Sequence, residues 1–278
     1  MIIVLYIFLF LFGTAIGSFI NAFEYRLRNK IDFVTKRSAC TRCKHELSVL
    51  DLIPLLSFVL IGGKCRYCGT KVSYQYPIVE FLAGMLFVVS GWYVTARMHI
   101  YALSDLFWVL CISFLIGLLF SLFLFFALYD VKHKIIPNKV VIPAIASALL
   151  FNILIAAGMH LDLFPAVSSL LQDFSILWNV LFALLGALFI ASIIIVTKGK
   201  GMGGGDLKLV FLMGLVLGWQ KLIFAIYAAV ILGAIAGLIW GALKGKIKGL
   251  KIPFGLFLSI GTIISFLVGD VVWEWFWM

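Results

Sequence analysis

Of the 278 residues, 64% are hydrophobic and only 12% charged, and the mean hydropathy is +1.17. So little polar surface excludes a soluble globule, and the chain reads as a polytopic membrane protein. A formal charge of +10 would suit a nucleic-acid binder, but the cations fall in alternate loops between apolar runs, so nucleic acid is not expected as a partner.

The first apolar run, Ile2 to Phe23, has no basic region before it and no small-residue cleavage site after it. It reads as a retained transmembrane helix rather than a signal peptide. Further spans are expected at Ile78 to Val94, Leu106 to Leu128, Val141 to Met159, Ile176 to Val196, Leu207 to Trp219, Leu222 to Ala242 and Phe254 to Val272. The fold class is therefore an all-α polytopic membrane protein with about eight transmembrane helices, in contact with the lipid bilayer throughout. The second span carries Glu80, and the sixth holds barely a dozen residues, a rise of about 18 Å. That sixth helix should begin inside the membrane thickness, with Asp206 at its start in a wet recess.

Arg26, Arg28, Lys30, Lys36, Arg37, Arg42, Lys44, Lys64, Arg66 and Lys71 fill the first loop; Lys132, Lys134 and Lys139 the third; Lys198, Lys200 and Lys208 the fifth; Lys244, Lys246, Lys248 and Lys251 the seventh. The positive-inside rule places these loops in the cytosol and both termini outside. Asp130 and Asp206 then share a face, while Asp105, Asp162, Asp173, Asp270 and Glu274 fall on the other.

The first loop, about Tyr25 to Pro77, is the one sizeable non-membrane element. It carries Cys40-Thr41-Arg42-Cys43 and Cys65-Arg66-Tyr67-Cys68. Two short turns that each present two thiolates suit a tetrahedral zinc site, with Gly69 supplying the tight turn after the second pair. Two disulfides are the competing reading, disfavoured in a reducing cytosol. A loop this small has little core, so a structural metal would supply its folding energy. His45 reads as a loop histidine that could replace a thiolate, and Cys111 as packing.

The glycine run Gly201-Met202-Gly203-Gly204-Gly205-Asp206-Leu207-Lys208 lies between two apolar stretches. So many glycines disfavour a lipid-facing helix, and their backbone must line protein or water. An ionisable residue there is a functional-site candidate, and its partner is read as Asp130. Asp130 lies at the end of the third span, before Pro137, which separates the third helix from the fourth. A solvated helix end is the plainer reading of Asp130, although the macrodipole opposes an acid at a helix C-terminus. Asp206 has the opposite setting, at a helix N-terminus. Two carboxylates in one recess share a proton, which provides a base to activate water and an acid to protonate a leaving amine. His133 reads as a solvated loop residue that could face Asp130 if the helix continued. Glu80 fits either a hydrogen bond in the core or a place on the substrate path.

Taken together, the residues resemble the type IV prepilin peptidases, the bifunctional leader peptidase and N-methyltransferase family. The resemblance is carried by Gly17-Ser18-Phe19-Ile20-Asn21 with Tyr25-Arg26-Leu27, the two cysteine pairs, Asp51-Leu52-Ile53-Pro54, Tyr76-Pro77 through Glu80, Asp130 with Ile136-Pro137-Asn138, the Gly203-Gly204-Gly205-Asp206 form of the GxGD motif, and Pro253-Phe254-Gly255, in the family's order. Glu24 departs from the pattern, standing where an apolar residue is expected. The resemblance implies that Asp130 and Asp206 are the catalytic dyad, with Gly203, Gly204, Gly205 and Lys208 in the active-site loop. It further implies cytosolic cleavage of prepilins or pseudopilins after the glycine that ends a short basic leader. Methylation of the new N-terminal residue, usually phenylalanine, follows from S-adenosylmethionine, and the cysteine loop points to this bifunctional type. The expected divisions are residues 1–24 as first helix, 25–77 as zinc loop and methyltransferase region, and 78–278 as peptidase domain, all in the bacterial cytoplasmic membrane. No strand-associated G-x-G-x-x-G fingerprint marks a methyl-donor site, and the glycine run lacks the G-K-[ST] ending of a phosphate loop.

The rival reading is an ion or metal transporter using Asp130 and Asp206 as membrane carboxylates, although transporters place such acids near the midplane of repeated halves. A non-catalytic docking protein of a secretion apparatus would leave the paired acids unexplained.

Overall fold

The computed structural model describes residues 2–32, 36–98, 103–160, 175–199, 202–244 and 252–277. Gly201 at the head of the glycine run, the loop cations Lys200, Lys246, Lys248 and Lys251, and the acids Asp162 and Asp173 lie outside the described residues. The elements are α1 (Ile2–Asn29), a 3-10 turn (Val49–Leu52), α2 (Leu56–Leu60), α3 (Gln75–Arg97), α4 (Leu103–His133), α5 (Asn138–His160), α6 (Ile176–Val196), α7 (Gly204–Lys244) and α8 (Phe254–Trp277). Pairing of extended backbone among the described residues is confined to two isolated bridges in the first loop.

Seven of these helices are long and apolar enough to cross a membrane, against the eight spans read from sequence. The difference lies in α7, whose 41 residues would run about 60 Å as a straight helix, twice the hydrocarbon thickness. Gly218, at φ 72° and ψ 178°, breaks it, so the expected sixth and seventh spans are its two arms.

Packing divides the chain into two units, Met1–Phe125 and Phe126–Met278. In the first, α1 and α3 run antiparallel through a small-residue seam. A Cβ on Gly13 would meet the Ala83 carbonyl at 2.7 Å, and one on Gly17 would meet the Glu80 Cα at 2.6 Å. Lipid gives no hydrophobic drive for helices to associate, so close backbone approach and dispersion must hold this pair. The Tyr6 and Thr95 hydroxyls, 2.9 Å apart, tie one end, and Asn21 Nδ2 donates to the Tyr76 carbonyl near the other.

In the second unit α7 packs against α5, α6 and α8. Its break at Gly218 disturbs the ladder of backbone hydrogen bonds at membrane depth, where free carbonyls are costly. The buried Asn152 of α5 donates 3.0 Å to the Leu215 carbonyl, and Asn179 of α6 donates 3.0 Å to Asn152 Oδ1. The break is thus held by a side-chain pair rather than left open.

Candidate active site and metal centre

Asp130 sits in the last turns of α4, 5% exposed, and Asp206 in the first turn of α7, half-buried. They are close enough for their charges to interact. Two steps of the sequence bring them together. After His133 the chain turns at Lys134, φ 53°, and passes Ile136 and Pro137 before α5 begins at Asn138. Gly205 lies directly on Ile136, where a Cβ would come within 3.0 Å of the Ile136 Cβ, so a bare residue lets the start of α7 close on the α4–α5 connection. Lys208 adds a tie, donating 2.7 Å to Asn138 Oδ1 at the start of α5.

Of the four residues read as the active-site loop, Gly204, Gly205 and Lys208 lie in the opening turns of α7 and Gly203 just precedes the helix. The reason is local. The Asp206 amide donates 3.1 Å to the Gly203 carbonyl, and the Gly203 amide donates 2.9 Å to Asp206 Oδ2. These reciprocal bonds start the helix early despite its glycines.

The macrodipole objection to Asp130 is answered by a different helix. Its carboxylate lies at the N-terminus of α8, where the backbone amides of Gly255 and Leu256 reach it. A Cβ on Gly255 would stand 2.9 Å from Asp130 Oδ2, so glycine is needed for this approach. Both carboxylates therefore meet the positive end of a helix, α8 for Asp130 and α7 for Asp206. Asp130 Oδ2 is buried without a hydrogen-bond partner among the described residues, leaving an acceptor for a water or a shared proton.

His133 belongs to the helix rather than to a loop, since α4 runs through it and its ring packs on Tyr129 at 4.6 Å between centroids. Glu80, buried in α3, accepts a 2.8 Å bond from the Leu55 amide. Glu24 is buried in α1. Cys111 is a half-buried residue of α4.

The four loop cysteines converge. Their sulfurs lie within 4.8 Å of one another, with Cys40 and Cys68 at 3.9 Å. A tetrahedral ion with bonds to sulfur of about 2.3 Å spaces its ligands about 3.8 Å apart, so this cluster fits a metal. Each pair sits on a matching turn. The Cys40 amide donates to the His45 carbonyl and Lys44 back to Cys40; the Cys65 amide donates to the Thr70 carbonyl and Gly69 back to Cys65. Lys44 and Gly69 occupy equivalent positions at φ 60° and 67°, a turn that glycine signals in the second pair and lysine conceals in the first. Thr70 draws Cys68 down to about 6. The His45 amide favours the Cys43 thiolate, but burial and the neighbouring Cys40 and Cys68 push Cys43 up to about 11. A cation is what would let all four ionise. His45 stands beside Tyr67, ring centroids 3.7 Å apart.

Comparison with known proteins places residues 11–94 in the Bacterial Peptidase A24 N-terminal domain and residues 117–238 in the Type IV leader peptidase family. A prepilin leader peptidase/N-methyltransferase of Aeromonas salmonicida is 30% identical over 96% of this chain and 92% of its own length. The enzymes of the same name from Bacillus subtilis and Pseudomonas aeruginosa are each 30% identical, covering 95% and 94% of this chain and 94% and 90% of their own. No solved structure matches the chain.

Proposed function

Because the chain belongs to the type IV leader peptidase family, we propose that Asp130 and Asp206 are the catalytic dyad with which this membrane enzyme cleaves prepilin leaders. The observation that carries this is the meeting of two interacting carboxylates at two helix N-termini. A transporter has no support from the relatives, which are peptidases and methyltransferases by name.

The two acids share one proton. The ionised one takes a proton from water as its oxygen attacks the scissile carbonyl; the protonated one gives its proton to the leaving amine as the C–N bond breaks. No acyl-enzyme forms. The exposed Gly203 and Gly204 leave room for an extended substrate strand beside Asp206. We read the site as facing the cytosol, because the third and fifth loops that flank it are basic. The substrates are read as prepilins or pseudopilins cut after glycine.

In the first unit, Cys40, Cys43, Cys65 and Cys68 would hold zinc, which supplies folding energy to the loop and no step of the cleavage. The methyltransferase half takes a methyl group from S-adenosylmethionine to the newly exposed N-terminal amine. Among the described residues no cradle for that donor singles itself out. The divisions proposed are residues 1–24, 25–77 as zinc loop and methyltransferase region, and 78–278 as peptidase.

The test is mass spectrometry of a prepilin incubated with the purified protein and S-adenosylmethionine. Loss of the leader and gain of one methyl group are expected with the wild type, and an uncut substrate with Asp130→Asn or Asp206→Asn. Cleavage that survived both substitutions would reject the dyad.

A further inference from the structure

Between the two cysteine turns runs a segment, Ser48 to Gly63, whose composition differs from the rest of its loop. It contains no cation, and its one acid is Asp51. That acid turns away from the surroundings. The Ser48 hydroxyl and amide and the Tyr67 hydroxyl donate to Asp51 Oδ2, and Arg66 lies 3.3 Å from Oδ1. The apolar side chains do the opposite. Val49 is 74% exposed, Val59 73% and Leu60 79%, with Leu50, Leu52 and Leu56 exposed beside them. In water so many exposed apolar side chains in one short segment would be a strong liability.

The depth of the segment is fixed by one bond. The Leu55 amide, in a turn at φ 63°, donates 2.8 Å to Glu80. Glu80 lies about 8 Å along α3 from its first residue, Gln75. The 23 residues of α3 rise about 34 Å, only slightly more than the ~30 Å hydrocarbon core, so with α3 centred and upright in that core Glu80 lies about 5 Å inside its boundary. The Leu55 turn therefore reaches bilayer depth while the cysteine turns stay attached above it. A non-helical amide at that depth needs an acceptor, and the Glu80 carboxylate is that acceptor.

The borders of the segment match a lipid surface in charge and in aromatic content. Arg42, Lys44, Lys64, Arg66 and Lys71 are exposed on the two cysteine turns, and the exposed Tyr74 packs on Phe58 at 5.5 Å between ring centroids. Cations over anionic headgroups, tyrosine at the interface and apolar side chains about 5–10 Å below are the pattern of an interfacial segment.

We propose that Ser48 to Gly63 is a membrane-dipping finger that inserts Val49, Leu50, Leu56, Val59 and Leu60 into the anionic bilayer surface between α1 and α3, with the Leu55–Glu80 bond setting its depth. The cysteine turns are thereby held down on the membrane from below as well as by the helices on either side.

The experiment uses the full chain in nanodiscs of phosphatidylethanolamine and phosphatidylglycerol, with a solvatochromic amino acid at position 60 in place of Leu60 and, separately, at position 41 in place of Thr41. Position 60 is expected to emit to the blue of position 41. Lipids brominated near the headgroup end of the acyl chain should quench it at least twofold more. A water-like, unquenched emission from position 60 overturns the proposal. Should the position 60 variant fail to fold, the same label at Val59 decides by the same criterion. Adding prepilin should leave the quenching unchanged; its loss on adding prepilin would assign the surface to substrate instead, and overturn the lipid reading.

Discussion

The Asp130 carboxylate lies against Gly255 at the first turn of α8, leaving a Cβ there only 2.9 Å from Oδ2. An acid near the end of one helix is thus seated on the start of another. Gly255→Ala must push the carboxylate aside, and a displacement near 1 Å can cost on the order of 100-fold in rate. Prepilin cleavage should fall by about that factor while the melting temperature in detergent changes little. Cleavage at the wild-type rate would show that the contact does not position Asp130.

The proposed dyad would act as a unit, so its losses should not add. Asp130→Asn and Asp206→Asn are each expected to lower kcat by roughly 1,000-fold or more, and the double variant no further than the worse single one. Steady-state cleavage of one prepilin by all three proteins decides this. Multiplicative losses would mean separate roles.

Gly218 is held at φ 72° and ψ 178°, a region that only glycine enters readily, and a Cβ would meet Asn179 Oδ1 at 3.0 Å. Gly218→Ala should destabilise the protein by about 1–3 kcal/mol. Asn152→Leu removes the donor to the Leu215 carbonyl and should cost about 1 kcal/mol, as membrane side-chain hydrogen bonds do. Thermal unfolding in detergent measures both. Asn152→Leu and Asn179→Leu should also be non-additive, since the two side chains bond to each other.

Metal removal should separate the two units. Chelation, or Cys65→Ser, is expected to release one zinc per chain, loosen the first loop to protease and spare part of the prepilin cleavage. Complete loss of cleavage in a protein still folded by circular dichroism would contradict that division.

Asp51 carries a stability term that depends on pH. Burial acts to raise it, but the Ser48 hydroxyl and amide, then Tyr67 and Arg66, outweigh burial and hold it below the usual carboxylate range. A depressed folded value stabilises the loop above the ordinary carboxylate range, and that stability fades as pH falls through the folded value. Asp51→Asn should therefore hasten zinc loss to a chelator at neutral pH and narrow the difference from wild type in acid.

Much of this was legible from types and spacings. The cysteine pairs announce their cluster because a chelating turn is short and local, and Pro137 marks where α4 must yield to α5. Asp206 could be found because many glycines beside one acid are costly in lipid. What sequence hid was contact between distant elements. Nothing local in Pro253-Phe254-Gly255 says that Gly255 will lie on Asp130, and Asn152 and Asn179 look like stray polar residues until Asn179 is seen to bond Asn152, and Asn152 the Leu215 carbonyl. Even the length of α7 was concealed, because one φ value at Gly218 separates a continuous element from two spans.

The two packing units are contiguous in the chain, Met1–Phe125 and then Phe126–Met278. Every partner within the first unit has therefore been synthesised before the second is made. At about 5–20 residues per second, the ribosome needs roughly 8–30 s for the remainder. That interval far exceeds the time helices take to form, and the α1–α3 seam and the sulfur cluster use residues no later than Arg97. A metal ion could enter the cysteine turns while the residues of α7, with Asp206, are still untranslated, so the order of assembly would follow the order of the gene.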